Sequence, residues 1–317
     1  MPFTHHSHSG QFCPGHAKNS LEEVIETAIA KKMQLFCLTE HMPRHEQDFY
    51  PEEIEGGDTE AGLVANEAAF FAEASRLRDK YADRIRILIG FEIDWIRPES
   101  LALIQASLAR LPFEFFVGSV HHVHTVPIDY DREMYLKARE IAGGTDERLF
   151  EDYFDNQLDM LQKLRPLVVG HLDLIRLKSD DPERSFTLWP GVWQKICRNV
   201  DYIVQYGGLV ELNSAALRKG MSEPYPKAEI CKVRKEILAR GGRFCLSDDS
   251  HGVDQVGLNF HRVVDFLDTV GIKTLHHLQL ADATSQSAVI DSRFPRTEIC
   301  STSVEELRKM AFFTASA

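Results

Sequence analysis

No run of eighteen or more apolar residues occurs in this chain of 317 residues, so a membrane-spanning helix is not expected. The N-terminus, MPFTHHSHSG, has neither the basic region nor the apolar run of a secretory signal. Six cysteines are present, but none forms a CxxC pair or a regular framework, which argues for a reduced, cytoplasmic setting. Positive charge is in deficit, 36 lysines and arginines against 48 acidic residues, for a net charge of -12. Such a balance argues against a sequence-independent grip on nucleic acid, which works by displacing counterions with basic surface. Also missing are DxDx[TV] after the first strand, a CX₅R loop, RHGxRxP and a P-loop. Their absence removes several routes to phosphoryl chemistry.

Short apolar runs alternate with segments of helical period, the pattern of βα units around a parallel sheet. Seven runs read as strands: 2–6, 34–40, 86–92, 115–121, 167–171, 209–213 and 243–248. Ser20 and Glu23 form a capping box before a helix whose apolar face is Leu21, Val24, Ile25, Ala28 and Ile29. Pro190 suits the first turn of a helix burying Val192, Ile196, Val200 and Ile203, and Ile230, Val233 and Ile237 stripe another. The pairs Gly207-Gly208 and Gly241-Gly242 each suit a left-handed helix end. Two longer polar connections, 42–81 (helical through Phe70, Ala74 and Leu77) and 125–144, read as lids or solvated surface. Residues 1–317 read as one domain, with a barrel core of about 1–270 and an irregular C-terminal segment of about 271–317.

The fourteen histidines are not scattered. His6 and His8 close the first strand at i, i+2, so both side chains can point to one side. His16 follows in the first loop. His41 closes the second strand, Glu92 the third, His121 the fourth, His171 the fifth and Asn213 the sixth, while Asp249 and His251 follow the seventh. Carboxyl ends of parallel barrel strands converge on one face, so these residues are expected to meet. Imidazole and carboxylate suit Zn²⁺, Mn²⁺ or Fe, and nine such groups exceed one tetrahedral site, fitting two or three ions. Asp248 competes with Asp249, which keeps the better i, i+2 relation to His251. His5, His45, His122, His124, His261, His276 and His277 lack this placement and read as surface, packing or supporting residues.

The ordered set HxH, TEH, GFE, GSVH, GH, ELN and SDDSHG resembles the PHP (polymerase and histidinol phosphatase) family from His6 to His251. Within it, FCPGH, EHMPR, GFEIDW and GHLDLIR are most similar to the histidinol-phosphate phosphatases. The resemblance implies a distorted (β/α)₇ barrel with a trinuclear metal site at the carboxyl ends of its strands. His6, His8, Glu92 and Asp249 would hold one ion. Glu92 would bridge to a second held by His121 and His171, and His16, His41 and His251 would hold the third. The activity implied is hydrolysis of a small phosphomonoester, L-histidinol phosphate, by a metal-bridging hydroxide. Glu92, Asp249 and His251 would be the catalytic residues. Arg176 and Arg218, each five residues past a strand end, are candidates for the phosphate, with Lys178, Lys219 and Arg44 weaker ones. The alternatives are a PHP-type nuclease, disfavoured by the charge, and a metal-dependent amidohydrolase, which would want eight strands and often a strand-end lysine. A metal-binding protein without activity would be marked by lost ligands, and all nine are in place.

Overall fold

The computed structural model describes residues 2–232, 242–281 and 289–314. Four strands, β1 (Phe3–Thr4), β2 (Leu35–Leu38), β3 (Arg86–Asp94) and β4 (Phe115–Ser119), are followed by a two-stranded hairpin, β5 (His122–Val123) and β6 (Val126–Pro127). Then come β7 (Val168–Val169), β8 (Leu209–Asn213), β9 (Arg243–Ser247), β10 (Thr274–Leu280) and β11 (Thr297–Ser303). Seven of these form one parallel sheet in the order β1-β2-β3-β4-β7-β8-β9. Its two edges meet through a parallel bridge between Ser7 and Ser250 and the bonds His8 N–H to Ser250 O (2.8 Å) and Asp249 N–H to His6 O (3.1 Å). The sheet is thus a nearly closed barrel. Strands such as LFCL in β2 and LVELN in β8 are buried along their whole length, as expected where helices cover one face and the barrel interior the other. Each of the seven runs contributes a barrel strand, though several pair over fewer residues than the runs span, leaving His6, His41, His121, His171 and Asp249 past the named strands while Glu92 stays within β3.

Helices form where the sequence signals placed them. Ser20 accepts from Glu23 N–H and Glu23 accepts from Ser20 N–H, capping the helix Leu21–Ala30, which buries the five expected apolar residues. Pro190 opens the helix Pro190–Tyr206, and Gly207 ends it at φ 84°, a conformation open to glycine at no steric cost. In the helix Ala228–Lys232, Ile230 is buried; Val233, Ile237 and Gly241 lie outside the described residues. The first long connection folds into helices Pro51–Gly56 and Glu60–Lys80, the latter packed through Phe70, Ala74 and Leu77. The second contributes β6 and the helix Arg132–Ile141.

The C-terminal segment departs from the irregular reading. β10 and β11 pair antiparallel over their full seven residues, in register from Thr274 with Ser303 to Leu280 with Thr297. This hairpin packs on the barrel: Leu278 N–H donates to His5 Nε2 (2.9 Å), and Thr297 Oγ1 to Glu114 O (2.7 Å).

Candidate metal centre and active-site cleft

At the carboxyl ends of the barrel strands, Glu92 is the hub. Its Oε2 lies 3.1 Å from His6 Nε2, 3.1 Å from His41 Nδ1 and 3.5 Å from His8 Nε2. Its Oε1 lies 3.1 Å from His171 Nε2 and 3.4 Å from His121 Nε2. One carboxylate therefore presents each oxygen to a different set of imidazoles. Asp249 Oδ1 stands 3.6–3.7 Å from His6 Nε2, His8 Nε2 and His251 Nδ1. Among the described residues, three groups of side chains bring their donor atoms within 4.8 Å of one another: His6, Glu92 and His171; His6, His8 and Asp249; His8, His41 and His251.

The outer nitrogens explain this arrangement. Glu211 Oε1 lies 2.9 Å from His6 Nδ1, Asp94 Oδ1 lies 3.4 Å from His121 Nδ1, and the Asp249 carbonyl 2.9 Å from His251 Nδ1. An acceptor on Nδ1 keeps the proton there and leaves the Nε2 lone pair free, the supporting pattern common around metal-ligating histidines. Glu211 also accepts from His171 N–H and Asn213 Nδ2, so its own orientation is fixed. His6 Nε2, both ring nitrogens of His8 and His41 Nδ1 are buried without hydrogen-bond geometry to any partner. The Nε2 atoms of His121 and His171 face each other at 3.2 Å. Buried imidazole nitrogens crowded around shared carboxylates, those of His6, His8 and His41 without a hydrogen bond, form a donor set that fits divalent metal ions.

Charge points the same way. Burial alone would lower the pKa of His6 and of His121, but the carboxylates of Glu92 and its neighbours Asp249, Glu211 and Asp94 raise both well above the usual imidazole value. Burial would raise Glu92, yet His6, His121 and His171 hold it well below the carboxylate range. Burial and the nearby His8 depress His41, and burial pushes His251 down to about 3. Four buried acids (Glu92, Asp94, Glu211, Asp249) thus demand positive charge that protons on a few imidazoles supply when no ion does.

Eight of the nine expected ligands converge in these groups or, for His121, at Glu92; His16 lines the same cleft but belongs to none of the groups. It is exposed, its Nε2 faces Glu52 Oε1 at 3.0 Å, and its ring centroid lies 6.1 Å from that of His41. The donors nearest His41 and His251 include His8, which also belongs to the group with His6 and Asp249. Asp248 is turned away, accepting from Thr4 Oγ1 (2.9 Å) and the Gly257 amide, so Asp249 is the acid in the cluster. The guanidinium of Arg176 does not reach the cleft. It is buried against Asp173 (3.1 Å), the carbonyls of Glu223 and Pro224 (each 3.0 Å) and the Tyr225 ring. The turn Leu174–Lys178 carries it inward, and its hydrogen-bonding capacity is used by the fold. Arg218 does line the cleft, steadied by the Asp249 carbonyl (3.2 Å), with Lys219 beside it. Arg44 is buried on Glu53 and over Tyr50.

The cleft over the cluster holds about 350 Å³ and is lined by His41, Glu92, His121, His171, Asp249 and His251, with Tyr50, Asp129, Tyr130 and Gln255 around them. Glu211 and Asp94 went unassigned in the sequence, although Asp94 sits at i+2 from Glu92 and so shares its strand face. Tyr50, Asp129 and Tyr130 come from the long connections, where no periodicity marks them.

A parallel seven-stranded barrel with a histidine and carboxylate cluster at its strand ends defines a barrel protein of the metal-centre type. The PHP domain family matches residues 4–215. The chain is 44% identical over 277 residues to "Probable histidinol-phosphatase" of Schizosaccharomyces pombe, covering 87% of this chain and 89% of that one. It is 34% identical to "Histidinol-phosphatase" of Saccharomyces cerevisiae, covering 87% and 91%. The crystal structure of histidinol phosphate phosphatase from Lactococcus lactis, complexed with zinc, L-histidinol and phosphate, matches with a TM-score of 0.65 at 22% identity, over 87% of this chain and 95% of that one; at this identity the likeness speaks to the fold. The chain belongs to the PHP family, and within it to the histidinol-phosphatases.

Proposed function

We propose that the chain hydrolyses L-histidinol phosphate to L-histidinol and phosphate in the Glu92 cleft, using divalent metal ions. The observation that carries this reading is the Glu92 carboxylate, whose oxygens face two histidine sets at 3.1 Å each. Family membership names the ester, and the Lactococcus lactis relative binds zinc, L-histidinol and phosphate. When bound, the ions would lower the pKa of water toward about 7 and neutralise charge on the transferring phosphoryl group. His6, His8, His41, His121, His171, His251, Glu92 and Asp249 would hold them, with His16 joining on release from Glu52; we propose three ions, Zn²⁺, Mn²⁺ or Fe. Glu92, Asp249 and His251 are the proposed catalytic residues.

The remaining residues serve to position. Glu211 and Asp94 fix the His6 and His121 rings. Arg218 and Lys219 present cationic groups at the cleft for phosphoryl oxygens. Leu174 and the Tyr50 ring line the same cleft. Barrel and C-terminal hairpin act as one domain in this reading. Cys13, Cys37, Cys231, Cys245 and Cys300 form no disulfide, which suits a reducing cytoplasm, and no helix among the described residues is long and apolar enough to cross a membrane.

The test is phosphate release from a panel of phosphomonoesters and a short DNA end. The highest kcat/KM is expected for L-histidinol phosphate; equal turnover across the panel, or preference for DNA, would overturn the assignment.

A further inference from the structure

Three carboxylates line the cleft: Glu92, Asp249 and Asp129. Glu92 and Asp249 are surrounded by imidazoles. Asp129 is not. Among the described residues it has no ion pair and no hydrogen bond, and its Oδ1 is buried without a partner. A carboxylate oxygen withdrawn from water and left unpaired is costly unless a cation arrives with the ligand. Its negative charge is felt by Tyr50, Tyr153 and Tyr225, whose phenols are raised first by burial and further by Asp129 among other acids.

The surroundings narrow the chemistry. Asp129 follows the β5–β6 hairpin, on the sector of the barrel rim next to β4. Arg218 and Lys219 follow β8, on another sector. The cleft therefore takes cationic groups from the sector after β8 and an anionic group from the sector after β4, around the same histidine and carboxylate cluster. Beside Asp129, Tyr130 is 37% exposed and stacks on Tyr50 with ring centroids 5.7 Å apart. The Tyr50 ring is also met by the Arg44 guanidinium at 4.8 Å and by the His16 and His122 rings, so the more exposed Tyr130 offers the open aromatic surface. Such a cleft suits a phosphomonoester whose alcohol carries a fixed positive charge and a flat ring.

We propose that Asp129 is the specificity-determining residue, pairing with the ammonium group of the substrate alcohol while Tyr130 receives its imidazole. The inference rests on the proposed hydrolysis of L-histidinol phosphate. The ammonium is assigned to Asp129 because it stays charged across the neutral range, whereas an imidazole is largely uncharged and packs on an aromatic face. Asp129 acts on recognition of the alcohol and takes no part in breaking the P–O bond.

The experiment compares wild type, Asp129→Asn and Asp129→Glu on L-histidinol phosphate, its des-amino analogue 3-(imidazol-4-yl)propyl phosphate, and p-nitrophenyl phosphate. Loss of one charge-assisted hydrogen bond predicts a fall of about 10- to 100-fold in kcat/KM for L-histidinol phosphate in D129N. The two esters without an ammonium should change by less than about twofold, and D129E should recover part of the loss. In D129N, the inhibition constant of L-histidinol should rise by the same factor as the kcat/KM loss, while that of inorganic phosphate stays put. An equal fall on all three esters would make Asp129 merely structural and overturn the inference; so would an unchanged preference for L-histidinol phosphate, or an equal dependence of the des-amino ester on Asp129. If wild type hydrolyses L-histidinol phosphate, these results sink this inference alone. If wild type does not, both this inference and the proposed function fall.

Discussion

His5 and His6 are adjacent, and both are wholly buried, yet they live in opposite chemistries. His5 has both nitrogens engaged by backbone groups, Nδ1 with the Leu246 carbonyl at 3.3 Å and Nε2 with Leu278 N–H at 2.9 Å. Burial pushes its pKa down to about 4, so it stays neutral. His6, one residue on and facing the other way, meets three carboxylates that overcome the same burial and raise it. Its Nε2 is left without hydrogen-bond geometry. Burial alone therefore does not mark a site. What marks it is a buried donor that the fold has left unbonded beside charges it has not balanced. The two arginines that stood out in the sequence repeat the contrast: Arg176 is saturated by carbonyls and Asp173, whereas Arg218 lines the cleft.

The comparison can be broken most sharply at Glu92. Glu92→Gln keeps the shape but removes the shared charge, and kcat should fall by about a thousandfold or more with loss of bound metal, the chain remaining folded by circular dichroism. Full turnover at full metal content would end the scheme. Arg176→Ala should instead act on folding, destabilising by about 3–5 kcal/mol because Asp173 is left buried and unpaired. Urea denaturation measures this, and an unchanged midpoint would contradict the structural role. Arg218→Ala should leave the midpoint nearly alone and lower kcat/KM about 10- to 100-fold. Glu211→Gln sharpens the point about supporting groups: metal affinity or activity should fall about 10- to 100-fold although Glu211 is kept off the cleft by the ligands above it.

The smallest effect belongs to the hairpin side. Burial, aided by the Arg86 guanidinium, lowers His277 to about 3. Its depressed folded value means that the unfolded chain takes up the proton first. Stability from this group is complete above its unfolded pKa of about 6.5 and erodes as pH falls through the window down to about 3, by at most about 1.4 kcal/mol per pH unit. Denaturation of wild type and His277→Gln at pH 7 and pH 5 should show the smaller pH dependence in the variant.

Much of the barrel was legible because each strand is a short buried run ended by a functional residue, and the helices carry caps and apolar stripes. The cluster was legible through the same ends: His121, His171 and Asp249 fall just past the strands β4, β7 and β9, and Glu92 lies near the end of β3. The β10–β11 hairpin was not, since TLHHLQL and TEICSTS have weak alternation and their pairing spans a long intervening segment. Arg176 misled because distance past a strand end says nothing of the turn that folds it inward. Tyr50, Asp129 and Tyr130 were hidden because loop residues acquire their roles only when separate segments meet over the barrel mouth.

In the proposed chemistry the histidine and carboxylate donors around Glu92 work by holding metal. The direct test is phosphate release from L-histidinol phosphate by the protein as purified, after chelation, and after stepwise return of Zn²⁺, Mn²⁺ or Fe²⁺, with metal content measured at each stage. Activity should vanish with the metal and return with it, approaching completion as about three ions bind per chain. Undiminished turnover by the metal-stripped protein would contradict the claim.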